Sequence, residues 1–341
     1  MKRFATLFML SLNLFPAFTV YAGEPNTQKQ TFQHKDWYLA CDNTGTCRAA
    51  GYAKEGSQEN FEPGAIFLVR NAGAAAQVTG RFISEYSEEA VKQAQLSING
   101  HSFGKLGPKG TLTKTQINGL LKVAKSNANI VITLNQSLWR ISDRGMTAVF
   151  LKMDEMQGRV KTSSAMVSKG NRSLEKVFPE KSKPVIHQSP VQDKETQLID
   201  TQNPLYKTLL KATQPMFDEY CDFPNNGEPI EYARLDDTHA LAVRMCWMAA
   251  YNAASVAFVL SPTPPYTVHQ VIGDVNVYDN GSLYMQMKGR GVGDCWSFKS
   301  WVYNGEKFLL ANISDTGLCR GMPGGIAPMP TYTTEVIPPK R

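Results

Sequence analysis

The six cysteines are the residues best placed to do chemistry in this chain, and they fall into three sequence-local pairs: Cys41/Cys47, Cys221/Cys246 and Cys295/Cys319. In the stretch DWYLACDNTGTCRAAGY, five residues separate the first pair. That is not the Cys-x-x-Cys spacing of thiol oxidoreductases, and no second cysteine or histidine pair stands nearby at zinc spacing. His34 is close in sequence but alone. The intervening Asp-Asn-Thr-Gly-Thr is turn chemistry, because Asx side chains bond the backbone and glycine supplies positive φ. The flanks DWYLA and CRAAGYA read as strands, so a disulfide across a hairpin is the expectation. An even cysteine count suits an oxidising compartment. Nearest-neighbour pairing gives three disulfides: Cys41–Cys47, Cys221–Cys246 and Cys295–Cys319.

Other reactive types are scattered. There is no Gly-x-Ser-x-Gly around a serine. Histidines at 34, 101, 187, 239 and 269 form no His-x-x-x-His pair, so no metal and no cofactor are called for. RLDDTH gathers Asp236, Asp237 and His239, groups able to do acid–base work but more often a polar turn. GRGVGD resembles a phosphate loop. A strand-like WSFKSWVY follows it instead of a helix, and no Lys-Ser/Thr follows the glycines, so a hairpin loop is expected. In DEMQGR, Asp154, Gln157 and Arg159 set a carboxylate, an amide and a guanidinium at a helix end. They either build a polar site or tie the helix end to neighbouring strands. No catalytic residue is assigned.

The elements that must position these groups are mostly strands. AIFLVR, QVTGRFIS and NIVITL are apolar or β-branched runs between turn signals, and Asn99-Gly100 marks a hairpin. One helix stands out in this part: Met146, Val149, Phe150, Met153 and Met156 recur at helical spacing, with Ser142 or Asp143 as cap and Gly158 as stop. Charged and proline-bearing sequence from Lys169 reads as a linker. Asn203-Pro204 then opens a second helix, followed by strands with Asn-Gly turns at Asn280-Gly281 and Asn304-Gly305. The Gly/Pro-rich end carries at most a short edge strand. The fold class expected is mainly β (β-rich α+β): two antiparallel sandwich or barrel-like domains, 27–168 and 198–341, each with about one helix, joined by a linker over 169–197.

The chain opens MKRFATLFMLSLNLFPAFTVYAGEP. A basic start, an apolar run and Val20-Tyr21-Ala22 read as an export signal over residues 1–22, cleaved after Ala22. No later stretch approaches the length of a membrane-spanning helix, so none is expected after cleavage. A net charge of +6, falling to about +4 without Lys2 and Arg3, is weak, and no basic run interleaved with aromatics points to nucleic acid. The expected location is the bacterial periplasm.

DWYLACDNTGTCRAAGY, RGMTAVFLKMDEMQGRVKTSSAMVSKG, CWMAAYN and GRGVGDCWSFKSWVYNGEKFLL…CRGMPGG, taken together in this order, resemble the bacterial exported proteins grouped as domain of unknown function 1176. The resemblance runs over nearly the whole mature chain. It reinforces the export and disulfide readings and carries over no catalytic residue, because the family has no assigned activity. The function expected is a non-enzymatic periplasmic binding or interaction protein, an envelope-associated or inhibitor-type module whose partner is an envelope protein or a glycan. The alternative is a cell-envelope hydrolase using paired carboxylates.

Overall fold

A computed structural model describes residues 30–54, 62–221 and 227–340. The segment read as an export signal lies outside them. The N-terminal strand runs form two antiparallel sheets. The first takes β1 (Thr31–His34), β2 (Trp37–Cys41), β3 (Cys47–Tyr52), β4 (Gly64–Arg70) and β5 (Thr79–Ser84) in sequence order. The second is built from β6 (Gln95–Ile98), β7 (His101–Lys105), β8 (Ile130–Leu134) and β9 (Ser137–Ile141), ordered β7-β6-β8-β9. Asn99 and Gly100, both at positive φ, close the β6–β7 hairpin as their types require.

Three helices pack here, where one was expected: α1 (Glu88–Val91), α2 (Lys114–Val123) and α3 (Met146–Met156). For α2 the signal is a capping box. Thr113 accepts from the Gln116 amide, and Gln116 Oε1 accepts from Thr113 N at 2.9 Å. Gln116 is buried, and its Nε2 also donates to the carbonyls of Phe103, Gly104 and Lys105, which fixes α2 to β7. The expected stripe on α3 is real, since Met146, Val149, Phe150 and Met153 are buried. The expected caps are not. Gly145, at φ 100, is the N-cap and makes no side-chain bond. Its left-handed backbone leaves no room for a Cβ, which would collide with the His34 carbonyl. Ser142 Oγ instead donates to Asp36, and Asp143 Oδ2 accepts from Ala128 N. Gly158, at φ 69, ends the helix as expected.

The C-terminal half stacks two more antiparallel sheets. After β10 (Val185–His187), strands β11 (Gln197–Ile199), β12 (Ile230–Arg234), β13 (Ala240–Met248), β14 (Ala253–Leu260) and β15 (Val268–Val275) form the third sheet. The fourth contains β16 (Val277–Asp279), β17 (Ser282–Lys288), β18 (Trp296–Tyr303), β19 (Phe308–Asp315) and β20 (Met329–Thr333). Strand β21 (Glu335–Ile337) pairs in parallel with β10. Helix α4 (Pro204–Tyr220) starts at the Asn203 cap and continues through Pro215. It packs Tyr206, Leu209 and Phe217 on one face of the third sheet, while Leu283, Trp301 and Phe308 of the fourth cover the other. Strand β14 is therefore buried almost throughout, which is why its sequence lacks polar alternation. The fold is mainly β, and none of the sheets closes into a barrel.

The first sheet is covered on both faces as well. Trp37, Leu39, Ile66 and Leu68 face the core shared with the second sheet and α3. Ala40, Ala50, Tyr52 and Phe67 face Met322, Ile326, Ala327 and Met329 of the Gly/Pro-rich C-terminal segment. Tyr38 donates to Asp315, Leu318 N donates to Tyr52 Oη at 2.7 Å, and Arg320 pairs with Asp36 at 2.8 Å. Burial pushes the Asp315 carboxyl above its ordinary range, and the Tyr38 bond pulls it part of the way back.

All three disulfides are the nearest-neighbour pairs: Cys41–Cys47, Cys221–Cys246 and Cys295–Cys319. The first joins residues directly paired across the β2–β3 hairpin, so it is a staple on a turn. The third holds the segment that covers the first sheet. Chain entropy alone makes a closed loop spanning 24 positions stabilise more than one spanning 6, by about 1 kcal/mol. Cys295→Ser/Cys319→Ser is expected to melt below Cys41→Ser/Cys47→Ser in calorimetry; equal or reversed midpoints would contradict the role given to the C-terminal cover.

Candidate functional site

Asp154, Gln157 and Arg159 do come together, at the C-terminal end of α3, and all three are buried. Asp154 Oδ2 accepts from Met166 N at 2.8 Å and Val167 N at 3.2 Å, and Oδ1 meets Arg70 Nη1 at 3.3 Å. Gln157 Nε2 donates to the carbonyls of Gly45, Arg70 and Asn71, while its Oε1 accepts from Arg159 Nε at 3.0 Å. Arg159 also reaches Gly73 O and Ser164 Oγ. Burial pushes Arg70 down to about 10, with Arg159 beside it acting in the same direction. Every polar atom is used inside the protein, so this trio ties the helix end to β4 and to the disulfide turn.

The RLDDTH cluster divides. His239 Nδ1 lies 3.2 Å from Asp236 Oδ1, whereas Asp237 Oδ1 accepts from Gln192 Nε2 at 2.7 Å. Burial disfavours the charged form of Asp236, but bonds from Tyr303, Thr238 and His239 outweigh it and hold the carboxyl well below its usual range. His269, edge-on to His239 with ring centres 5.8 Å apart, accepts or donates at 2.9 Å to Ser261 Oγ and is pushed down by burial and by His239. So satisfied a carboxylate is a poor proton acceptor. Ligand atoms of Asp294, Cys295 and Cys319 lie within 4.8 Å of one another, but both sulfurs are committed to the disulfide.

Two concavities stand out. One, of about 540 Å³, lies beside the first disulfide turn between Asp42, Arg48, Lys181, Lys183 and Thr333. Of its two carboxylates, Asp42 and Glu180, Asp42 is saturated: it accepts from Thr44 N and Oγ1, Thr46 N and Arg48. The other, of about 290 Å³, is lined by Glu62, Pro63, Glu85, Tyr86 and Trp139. Trp139, on β9, packs edge-on against Phe82 and Tyr86. Ser137 Oγ donates to Glu62 Oε1 at 2.8 Å and also meets Tyr86 Oη at 2.8 Å. This triad joins the entry to β4, the exit of β5 and the start of β9, so the cavity sits at the seam of the two N-terminal sheets. The Trp139 N–H edge lies against Gly64, where a Cβ would come within 2.7 Å of the indole. Two buried atoms of the lining, Trp139 Nε1 and Glu62 Oε2, have no hydrogen-bond partner among the described residues. Buried polar atoms are seldom left so.

Sequence reading missed all four side chains. Glu62, Glu85, Tyr86 and Trp139 span 78 positions and belong to no motif; only strand register brings them together.

The family model described as a protein of unknown function (DUF1176) matches residues 31–334. The chain belongs to this family. A relative, the uncharacterized protein YpfG of Escherichia coli (strain K12), is 23% identical over 323 residues, 83% of this chain and 87% of that protein. No solved structure matches. Both the cavity and the buried trio lie within the matched family region.

Two substitutions test the contrast between satisfied and unsatisfied groups. Asp154→Ala would leave the buried Arg70 guanidinium without its carboxylate and remove the opposite charge near Arg159, and is expected to cost about 3–5 kcal/mol in denaturant unfolding; a cost below 1 kcal/mol would refute the account. Trp37 and Trp139 are equally buried, but Trp37 Nε1 donates to Ser142 O at 2.7 Å. Trp37→Phe orphans that carbonyl, whereas Trp139→Phe removes an atom that had no partner. Trp37→Phe is expected to be the more destabilising by about 1–2 kcal/mol, and equal losses would contradict the unpartnered indole.

Proposed function

We propose that this protein is a non-enzymatic binding module of the bacterial periplasm that takes a neutral, hydroxyl-rich ligand, an envelope glycan, at the Glu62–Trp139 cavity. One observation carries the reading. The lining holds an unused donor, Trp139 Nε1, and an unused acceptor, Glu62 Oε2, and a hydroxyl group can satisfy either. The exposed Tyr86 ring offers an apolar face suited to the C–H face of a sugar, with the buried Trp139 beneath it, and Glu62 and Glu85 disfavour an anionic ligand. Three disulfides suit an oxidising, extracytoplasmic compartment. Among the described residues, no helix is long and apolar enough to cross a membrane.

The same two carboxylates are the observation that favours a glycoside hydrolase as the second reading. Against it, Glu62 Oε1 is held by Ser137 and Tyr86, an arrangement that fixes a carboxylate for recognition.

Calorimetric titration with neutral N-acetylhexosamine oligosaccharides separates the readings. Saturable binding without cleavage on chromatography is expected. It should weaken about tenfold in Glu62→Gln or Trp139→Phe, the worth of one buried hydrogen bond. No binding across the oligosaccharide series, or binding untouched by both substitutions, would overturn the assignment. Chain shortening would move the protein to the hydrolase reading.

A further inference from the structure

Two of the sequence segments singled out above, CWMAAYN and GRGVGD, play no part in the cavity. They meet at one end of the C-terminal sheets. Asn252 Nδ2 donates to Lys288 O and Lys288 N donates to Asn252 Oδ1, each at 2.9 Å. These reciprocal bonds pin the β13–β14 turn of the third sheet to the β17–β18 loop of the fourth. Gly291 lies against the Tyr251 ring, which a Cβ would approach to 3.4 Å. The result is a paired loop tip of fixed geometry.

Its outward side chains are apolar. Val292 is 77% exposed, Met248 65% and Tyr251 48%. Half-buried Trp247 and Trp296 stand behind them. Trp247 Nε1 donates to Asp274 at 3.0 Å, and Lys288 Nζ lies 5.5 Å from the centre of the Trp296 ring. Charges of both signs stand at the tip, with Asp274 exposed beside Trp247 and Lys288 and Arg290 on the β17–β18 side. Arg290 bonds Asp294 through Nε at 2.7 Å, but the Asp294 side chain is only 3% exposed while that of Arg290 is 50% exposed. The carboxylate is therefore withdrawn and the guanidinium presented.

We propose that this paired loop tip is a membrane-contact surface, seating Val292, Met248 and Tyr251 among the headgroups of an anionic bilayer. Two features favour a bilayer over a protein partner. Three side chains on two turns cover a few hundred Å² at most, short of the roughly 800 Å² each partner buries in a stable protein complex. The composition is that of the membrane interface: apolar tips, tryptophan and tyrosine at their base, and lysine and arginine beside them. Contact of this size is reversible and sensitive to salt. The inference stands independently of the ligand taken at the Glu62–Trp139 cavity.

The test is co-sedimentation of the whole protein with phosphatidylethanolamine–phosphatidylglycerol vesicles and, separately, with phosphatidylcholine vesicles. Wild type is expected to bind the anionic vesicles with a blue shift of tryptophan emission, and to release with salt. Met248→Asp/Val292→Asp should lower partitioning about tenfold with an unchanged melting midpoint, because both side chains are exposed. Val292→Asp alone should show part of that loss. Lys288→Glu should weaken binding to the anionic vesicles only. Absence of wild-type binding to either vesicle, or undiminished binding by the folded double variant, would overturn the proposal.

Discussion

Neither face of the first sheet can meet water. Ala40, Ala50 and Tyr52 look one way and Trp37, Leu39 and Leu68 the other, all buried. An antiparallel sheet commonly leaves one face solvated; this one requires a cover from far along the chain. The cover is the segment carrying Met322, Ile326, Ala327 and Met329, rich in glycine and proline and poor in secondary structure. Such chain has little of its own to hold it. It is kept in place by Cys295–Cys319, by the β19–β20 ladder, and by polar contacts from Tyr38, Tyr52 and Asp36. The small alanines of β2 and β3 let this irregular backbone approach closely, which larger side chains there would prevent.

The opposite side of the same sheet depends on a buried ionic knot. Arg70 pairs with Asp154, whose charge also acts through space on Arg159, within a protein interior that penalises charge. The arrangement holds because the remaining donors find carbonyls. Arg70 reaches Ser164 O and Ala76 O, and Arg159 reaches Asn71 O and Gly73 O. Gln157 closes the set by bonding Gly45 O, in the loop bracketed by Cys41 and Cys47. The shortest disulfide and the helix end are thus parts of one junction. A disulfide that shapes a turn serves here to present a carbonyl to a buried amide.

Much of this was legible from local chemistry. Asn99-Gly100 and Asn280-Gly281 named their hairpins because type I′ turns need those residues at positive φ; Asn304-Gly305 marked a longer turn in which Asn304 Oδ1 accepts from Glu306 N and Lys307 N; and the three cysteine pairs followed from proximity. The stripe Met146–Met153 named α3. Helix α2 is equally marked, by Thr113-x-x-Gln116, a capping box lying between strand runs. The cap of α3 could not be read. Ser142 and Asp143 are good capping types, but tertiary partners, Asp36 and Ala128, claim their oxygens. The grouping of Asp154, Gln157 and Arg159 at a helix end was readable from spacing. Arg70, 84 positions away from Asp154, was not.

The cavity was invisible for a related reason, and the same reason gives it weight. Three buried polar groups show how the protein satisfies its own interior: Asp42 by its turn, Asp154 by two amides and a guanidinium, Gln116 by three carbonyls. Four buried side-chain atoms among the described residues lack a partner, and two of the four belong to residues lining one cavity. Among the described residues the fold makes no use of the indole N–H of Trp139 or the second carboxylate oxygen of Glu62, which belong to the lining of the same cavity. Trp139 could have been phenylalanine at no loss of hydrogen bonding, and Glu62 needs only one oxygen to hold Ser137 and Tyr86. The second oxygen and the indole nitrogen are surplus to folding, which supports the reading that they serve a molecule the chain does not itself contain.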